Sequence, residues 1–497
     1  MTASPQADNP EAPLRGLRVL ELGQYIAAPA AAQTLAELGA DVIKIEPPGG
    51  DVARRLGWTQ DDYGPMFSAY NRGKRSVVLD LRSDEGRAQA RQLALCADVL
   101  LQNARPGAME RLGLGAEQLM PHAPRLVYGR VSAFGRTGPA SQRVGFDIAA
   151  QAESAMMSLN GEGGRPPVRV GFTVVDLLAS QQLASGVLAA LVRRGITGRG
   201  ALVDLSLIDV AVAALTNAWT EYRLLGTMPL RRGNGQPHVA PAAEVIETRD
   251  GMIVLSAYTE EHFAKLCQAI GQPELATDPR FATSRDRVRN RPEMLAVLHE
   301  ALSHFESDPL CEMLAQAGIV AGNIRTMEQV RPGQAGVSAD LFIDVAAAGR
   351  GPISVPGLPI SLDGLPRRAA RLPALGEHTA EVLARRARAQ RSTGWPAAQN
   401  AIFMIAGCAR QAPASGQKEL KFKAFPAPAP VGSCEPPAGR PGPRLPPCST
   451  RRSSSSTSAP RSPSSSPAAS ARRTSTAKCT PATSAATGCA SLPPMAS

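Results

Sequence analysis

The carboxylate best placed for chemistry is Asp176, in the segment GEGGRPPVRVGFTVVDLLASQQLASGVLAAL. It stands between an apolar run and a long apolar stretch, 176–192, that reads as a buried helix. An Asp at such a boundary is an ordinary helix N-cap, accepting from amide groups of the first turn. The positive end of the helix dipole also favours the ionised carboxylate, and an ionised carboxylate is a nucleophile, so the two roles are compatible. Cations gather elsewhere, as Arg72, Lys74 and Arg75 in NRGKRS and as Arg105 and Arg111 in QNARPGAMERLGL. Such groups suit phosphates, although most charge runs are simply solvated. Gly233, Asn234, Gly235 and Gln236 read as a plain turn or a short glycine loop.

These residues need a scaffold, and the opening block LRGLRVLELGQYIAAPAAAQTLAELGADVIKIEPPGGD supplies its first unit. Two strand-like runs, 18–22 and 41–45, flank an Ala/Leu-rich helical stretch, which makes a βαβ unit. The first run opens into Gly-Gln-Tyr-Ile-Ala-Ala with no G-x-G-x-x-G, so a ligand other than a dinucleotide is expected at this crevice. Further strands are predicted at 76–81, 98–102, 125–132 and 201–207, with a helix at 84–96. That alternation predicts an α/β fold, a large Rossmann-like domain with a parallel sheet over 14–207. A linker helix follows at 208–231. The texture then changes at RRGNGQPHVAP, and a strand at 252–256 with Glu/Arg-rich amphipathic helices predicts a smaller α+β domain over 232–335.

Charge divides sharply along the chain. The whole sequence carries 54 Lys+Arg against 43 Asp+Glu, net +11. Residues 391–497 hold 13 of those basic residues and two acidic ones, so the body is formally neutral and no nucleic-acid partner is expected for it. That segment, rich in Pro, Ser, Ala and Arg, cannot bury enough apolar area to order itself and is expected to be disordered. Its composition fits two origins, a functional basic tail or an out-of-frame reading of GC-rich DNA. Cys96, Cys267 and Cys311 are the cysteines of the body, and no spacing suggests a zinc site or disulfide framework. The amino terminus is polar and acidic with no apolar core, and no run is expected to reach the length of a membrane span, so a reducing cytoplasmic setting is predicted.

The opening block resembles the start of the family III CoA-transferases (CaiB/BaiF type), the group of formyl-CoA transferase, carnitine CoA-transferase and α-methylacyl-CoA racemase. Their chains open with G-x-[RK]-V-L-[ED] and G-A-[DN]-V-I-K-[IV]-E strands. QNARPGAMERLGL is similar to the family's E-N-[FY]-[RG]-P-G-x-[LM]-x-[RK]-L-G, and Pro167 through Asp176 matches its P-x-x-x-G-x-x-x-x-D. ISVPGLPISLDGLPRRAARLPALGEHTAEVLA resembles its closing segment, which implies a return to the large domain over 336–390.

The resemblance implies that Asp176 is the nucleophile. It would open an acyl-CoA to a mixed anhydride, take back the CoA thiolate as an aspartyl-CoA thioester, and pass CoA to an acceptor carboxylate. CoA is then a substrate thioester, with no permanently bound cofactor and no metal. By the same resemblance CoA is contacted by Tyr25, Ile26, Ala27, Leu79, Arg82, Asn103, Ala104, Arg105 and Arg111, and Gly233–Gln236 corresponds to a mobile loop over the active site. An interlocked homodimer is implied, with crossings around 208–232 and 331–370. Two departures matter. Pro47 stands where some transferases carry an Arg, and Phe146 in VGFDIAAQAES stands where racemases carry the His of G-H-D. A phenyl ring cannot exchange a proton, so the racemase alternative falls behind. A CoA-binding paralogue without turnover is the third class, and retention of Asp176 argues against it.

Overall fold

The computed structural model describes residues 10–384, apart from 58–61, 237–238, 335, 364–366 and 368. The segment 391–497, with its expected disorder, lies outside the described residues.

Six parallel strands form the main sheet: β1 (Arg18–Leu22), β2 (Asp41–Glu46), β3 (Arg75–Val78), β4 (Val99–Gln102), β5 (Val127–Ser132) and β6 (Leu202–Ser206). Their spatial order is β3-β2-β1-β4-β5-β6. Val19, Leu20, Val42, Ile43, Leu100 and Leu101 are all buried, as expected of strands covered on both faces. The covering helices include α1 (Ala27–Glu37), α2 (Asp84–Leu95), α3 (Asp147–Glu153), α4 (Val174–Thr197), α5 (Leu207–Ala214) and α6 (Thr216–Leu225). One core joins Leu35, Val99 and Val127 to Leu183 and Val187 of α4, and a second joins Leu20, Ile43 and Tyr128 to Leu93 of α2 and Leu119.

Element boundaries follow local capping. β3 stops at Val78, short of the expected 81, because Asp80 turns the chain by accepting from the amide of Arg82 and Ser83 then caps α2 through the Gly86 amide. The strand expected through Leu207 ends one residue earlier, since Ser206 accepts from the Asp209 amide and starts α5. α4 begins at Val174, so Asp176 is the third helical residue and not the N-cap; Thr173 occupies that place without a side-chain cap. The expectation that no segment reaches spanning length also needs correction. Among the described residues α4 is long and apolar enough to cross a membrane by length and composition. Here Val175, Ala179, Leu183, Val187 and Leu191 are buried in the core, so it is the central packing helix of the sheet.

An antiparallel sheet, β7 (Glu244–Glu247), β8 (Met252–Ser256) and β9 (Val320–Asn323), packs with the helices Glu260–Ala269, Arg291–Leu302 and Ser307–Gln316 around Phe263, Leu266, Leu298 and Leu314. β10 (Phe342–Ala347), β11 (Arg350–Pro356) and β12 (Ala370–Arg371) form a third sheet. The segment after it reaches the β3 edge of the main sheet, where the His378 amide donates to Ser76 O at 2.9 Å and the Val78 amide to Thr379 Oγ1 at 3.0 Å.

Candidate active site

The order of the main sheet reverses between β1 and β4, and ligands of such sheets bind outside the carboxyl ends of the strands at that point. β1 runs there into Gly23–Ala27 and β4 into Asn103–Arg105. Asn103 ties the two turns together: it accepts from the Gln24 amide through Oδ1 at 2.9 Å and donates to Gln24 O through Nδ2 at 2.8 Å. Tyr25 holds the left-handed conformation, φ 62°. Gly23 is required by close approach, since a Cβ there would lie 2.8 Å from the Ala28 Cβ.

A cavity of about 350 Å³ opens at this crevice, and Tyr25, Ala27, Asn103, Ala104, Arg105 and Asp176 line it together with Phe146. Those sequence-predicted residues are therefore brought to one place. Ile26 is buried at the start of α1, and Leu79 is buried after β3. Arg82 is exposed and held by Asp80, with Nε donating to Oδ1 at 2.9 Å. Arg111 ends the short helix Ala108–Arg111 on the surface. None of these four lines the cavity, although Leu79, Arg82 and Arg111 all follow carboxyl ends of strands on the same edge of the sheet.

Asp176 does not stand alone. Asp147, in the first turn of α3 and 3% exposed, accepts from the Val175 amide at 2.7 Å and from the Asp176 amide at 3.2 Å through one oxygen. Gln151 Nε2 donates to its other oxygen at 2.5 Å. Asp147 thus caps α4 from outside the helix. Burial pushes the Asp176 carboxyl up to about 7, with the neighbouring Asp147 charge as the second cause. Burial and the like charge of Asp147 therefore act against the ionised form that a helix terminus favours. Tyr70 also feels the Asp176 charge, which adds to burial in raising its phenol. Sequence reasoning missed Asp147 and Tyr70. The G-F-D stretch carries the signal for Asp147, beside Phe146, whose ring meets Tyr25 edge-on at 5.4 Å.

The basic run Arg72, Lys74, Arg75 is neither solvated nor free for phosphates. All three are buried, Arg72 against Glu37, Lys74 against Glu21 and Arg75 against Asp41. Gly233 and Asn234 line a different groove, with Glu162, Arg231 and Glu244, which shares no lining residue with the cavity at Asp176. The Gly233 amide donates to Gly161 O at 3.0 Å.

Residues 14–379 match the family model described as CoA-transferase family III. The chain belongs to that family. It is 36% identical over 382 residues to a succinyl-CoA–D-citramalate CoA-transferase of Chloroflexus aurantiacus, a match covering 76% of this chain and 94% of the relative. A succinate–glutarate CoA-transferase of Agrobacterium fabrum is 35% identical over 385 residues, 76% of this chain and 96% of the relative. Among solved structures, a CAIB/BAIF family protein from Brucella suis superposes with a TM-score of 0.68 at 34% identity, covering 76% of this chain and 99% of that one. This family III chain is accordingly an enzyme of the CoA-transferase kind.

Proposed function

We propose that this enzyme moves CoA from an acyl-CoA donor to a carboxylic acid through covalent intermediates on Asp176. The observation that carries the reading is the shared cavity, in which the Asp176 carboxylate meets the β1 and β4 turns at the point where the sheet order reverses. Asp176 attacks the thioester carbonyl, the C–S bond breaks, and a mixed anhydride and CoA thiolate result. The thiolate attacks the aspartyl carbonyl, releasing the donor acid and leaving an aspartyl-CoA thioester. The acceptor carboxylate attacks that thioester and frees the thiolate again. A final attack on the acceptor's acyl carbon gives the new acyl-CoA and restores Asp176.

Tyr25, Ala27, Asn103, Ala104 and Arg105 are proposed to hold the thioester end of CoA. Ile26, Leu79, Arg82 and Arg111 are assigned to the rest of the molecule along the strand ends. Gly233–Gln236 is proposed as the mobile active-site loop that the family resemblance implies, which would have to move to reach Asp176, since Gly233 and Asn234 line a separate groove here. The relatives named for succinyl-CoA make that thioester the first donor to test. Phe146 in the cavity supports transfer over proton exchange at an α-carbon. We propose the domain division of 14–207, 232–335 and 336–390 and a cytoplasmic homodimer. α6 buries no residue, and Trp219, Leu224, Leu225, Met228 and Leu230 are exposed around it. Such an apolar patch fits a second copy of the chain. Incubation with succinyl-CoA and hydroxylamine trapping should label the peptide containing Asp176, and labelling elsewhere would overturn the assignment.

A further inference from the structure

Beneath the β1 turn lies a set of charges that the transfer chemistry does not use. Glu21 on β1, Lys44 on β2, Lys74 just before β3, and Asp51 are all buried. Glu21 receives both ammoniums, Lys44 Nζ on Oε1 at 2.7 Å and Lys74 Nζ on Oε2 at 2.5 Å. Lys44 also lies 2.9 Å from Asp51 Oδ2. The cluster is therefore two cations against two anions. Each ammonium has donors left over, and both spend one on the backbone of the turn. Lys44 Nζ donates to Gly23 O at 2.9 Å, and Lys74 Nζ donates to Pro29 O at 2.8 Å. Asp51 Oδ1 accepts from the Ala53 amide at 2.9 Å and lies 3.5 Å from the Tyr25 amide. The entry and exit of the segment Gly23–Pro29 are thus bonded to one balanced charge cluster.

That segment contains Tyr25 in its left-handed conformation and carries Tyr25 and Ala27 into the cavity. A side chain other than Gly is unfavourable there unless neighbouring bonds hold the backbone in place. We infer that Glu21, Lys44 and Lys74 are positioning residues for substrate binding, fixing the Gly23–Pro29 backbone in the shape that receives the CoA thioester. The inference rests on the reading of that turn as a CoA contact. None of the three side chains lines the cavity, so each acts through the turn it holds.

The test compares Lys74→Met, Lys44→Met and the charge-balanced pair Glu21→Gln with Lys74→Met against a control, Arg194→Met. Arg194 is buried near the far end of α4 against Asp98, with Nη1 3.1 Å from Oδ1, and touches neither turn nor cavity. Two readouts are taken on the full chain, CoA affinity by calorimetry and amide hydrogen exchange over residues 23–29. The hub variants, including the balanced one, should weaken CoA about tenfold or more and speed exchange in the turn. Arg194→Met should stay within about twofold of the parent in affinity and leave turn exchange unchanged, whatever its melting temperature. A balanced variant that binds CoA within twofold with native exchange, or that fails to fold, overturns the inference. So does an equal loss in Arg194→Met. If the parent chain binds no CoA, the CoA reading of the crevice falls, and hydrogen exchange still decides whether the hub holds the turn.

Discussion

The carboxylate pair, with Asp147 buried and Asp176 half-buried at the crevice, contrasts with the fully buried hub of Glu21, Lys44, Lys74 and Asp51, in which two cations face two anions. In the hub every ionised group meets an opposite charge or a backbone dipole, which fixes geometry; the pKa of Lys44 is raised, whereas burial, working against the charge of Glu21, lowers that of Lys74 to about 8, so the hub is fully charged only below that pH. In the crevice, burial first and the like charge of Asp147 second push the Asp176 carboxyl up to about 7. Balanced burial holds a shape, whereas unbalanced burial leaves a group whose proton and lone pair are available to chemistry. The consequences of removing charge should therefore have opposite signs at the two places.

The largest effect is expected on turnover. Asp176→Asn should lower CoA exchange by roughly three orders of magnitude or more, since no anhydride can form on an amide. An Asn variant that remains active, once deamidation is excluded by mass spectrometry, would show that the unbalanced site is not the nucleophile.

A smaller effect separates the two carboxylates. Protonated Asp176 is inert as a nucleophile, so kcat/KM of the free enzyme should rise with pH through about 7. Asp147→Asn removes the like charge, the second cause of the shift, while burial remains. The acid limb should move to lower pH, and the variant should keep a larger fraction of its maximal rate at pH 6 than the parent does. A limb that stays in place, or moves up, would assign the profile to another group.

Stability should move in the opposite direction from activity. The folded pKa of Asp176, about 7, lies above its ordinary value of 3.8. Between those values the folded chain binds more protons than the unfolded chain, so this group's contribution to stability is lost as pH rises from about 4 through 7. Asp176→Asn should then stabilise the protein at pH 8 by about 1–3 kcal/mol and leave it unchanged near pH 4. Thermal melts at the two pH values read the difference. Lys74→Met should destabilise at both, because it strands Glu21 with a single cation in the interior.

The sheet was legible because strand runs such as RVLEL and DVIKIE carry their own signal in burial and β-branching, and the structure places them within a residue or two. The crevice turn was legible from a missing glycine fingerprint and from a family resemblance. Asp147 was not, because its role depends on bonds to amides 28 and 29 residues away that no local pattern encodes. The fate of Arg72, Lys74 and Arg75 was hidden for the same reason. A run of cations looks solvated until the fold brings Glu37, Glu21 and Asp41 against it. Both misses concern charges whose partners lie far along the chain, and neither concerns the hydrophobic pattern.

The smallest effect is expected from the most strongly charged region. Residues 391–497 carry the whole net charge of +11, yet the crevice draws on local groups such as Arg105 beside a neutral body. Removing them should leave kcat/KM within about twofold, because the residues proposed to line the crevice all belong to the body. Affinity of the full chain for DNA or for anionic vesicles should disappear with that segment and fall steeply as salt is raised. Parallel titrations of both chains with acyl-CoA and with duplex DNA at two salt concentrations make the measurement. A shortened chain that folds and binds CoA but no longer turns over would mean that the segment completes the crevice, and the contrast between a balanced scaffold and an unbalanced site would then have to include a third, basic contributor.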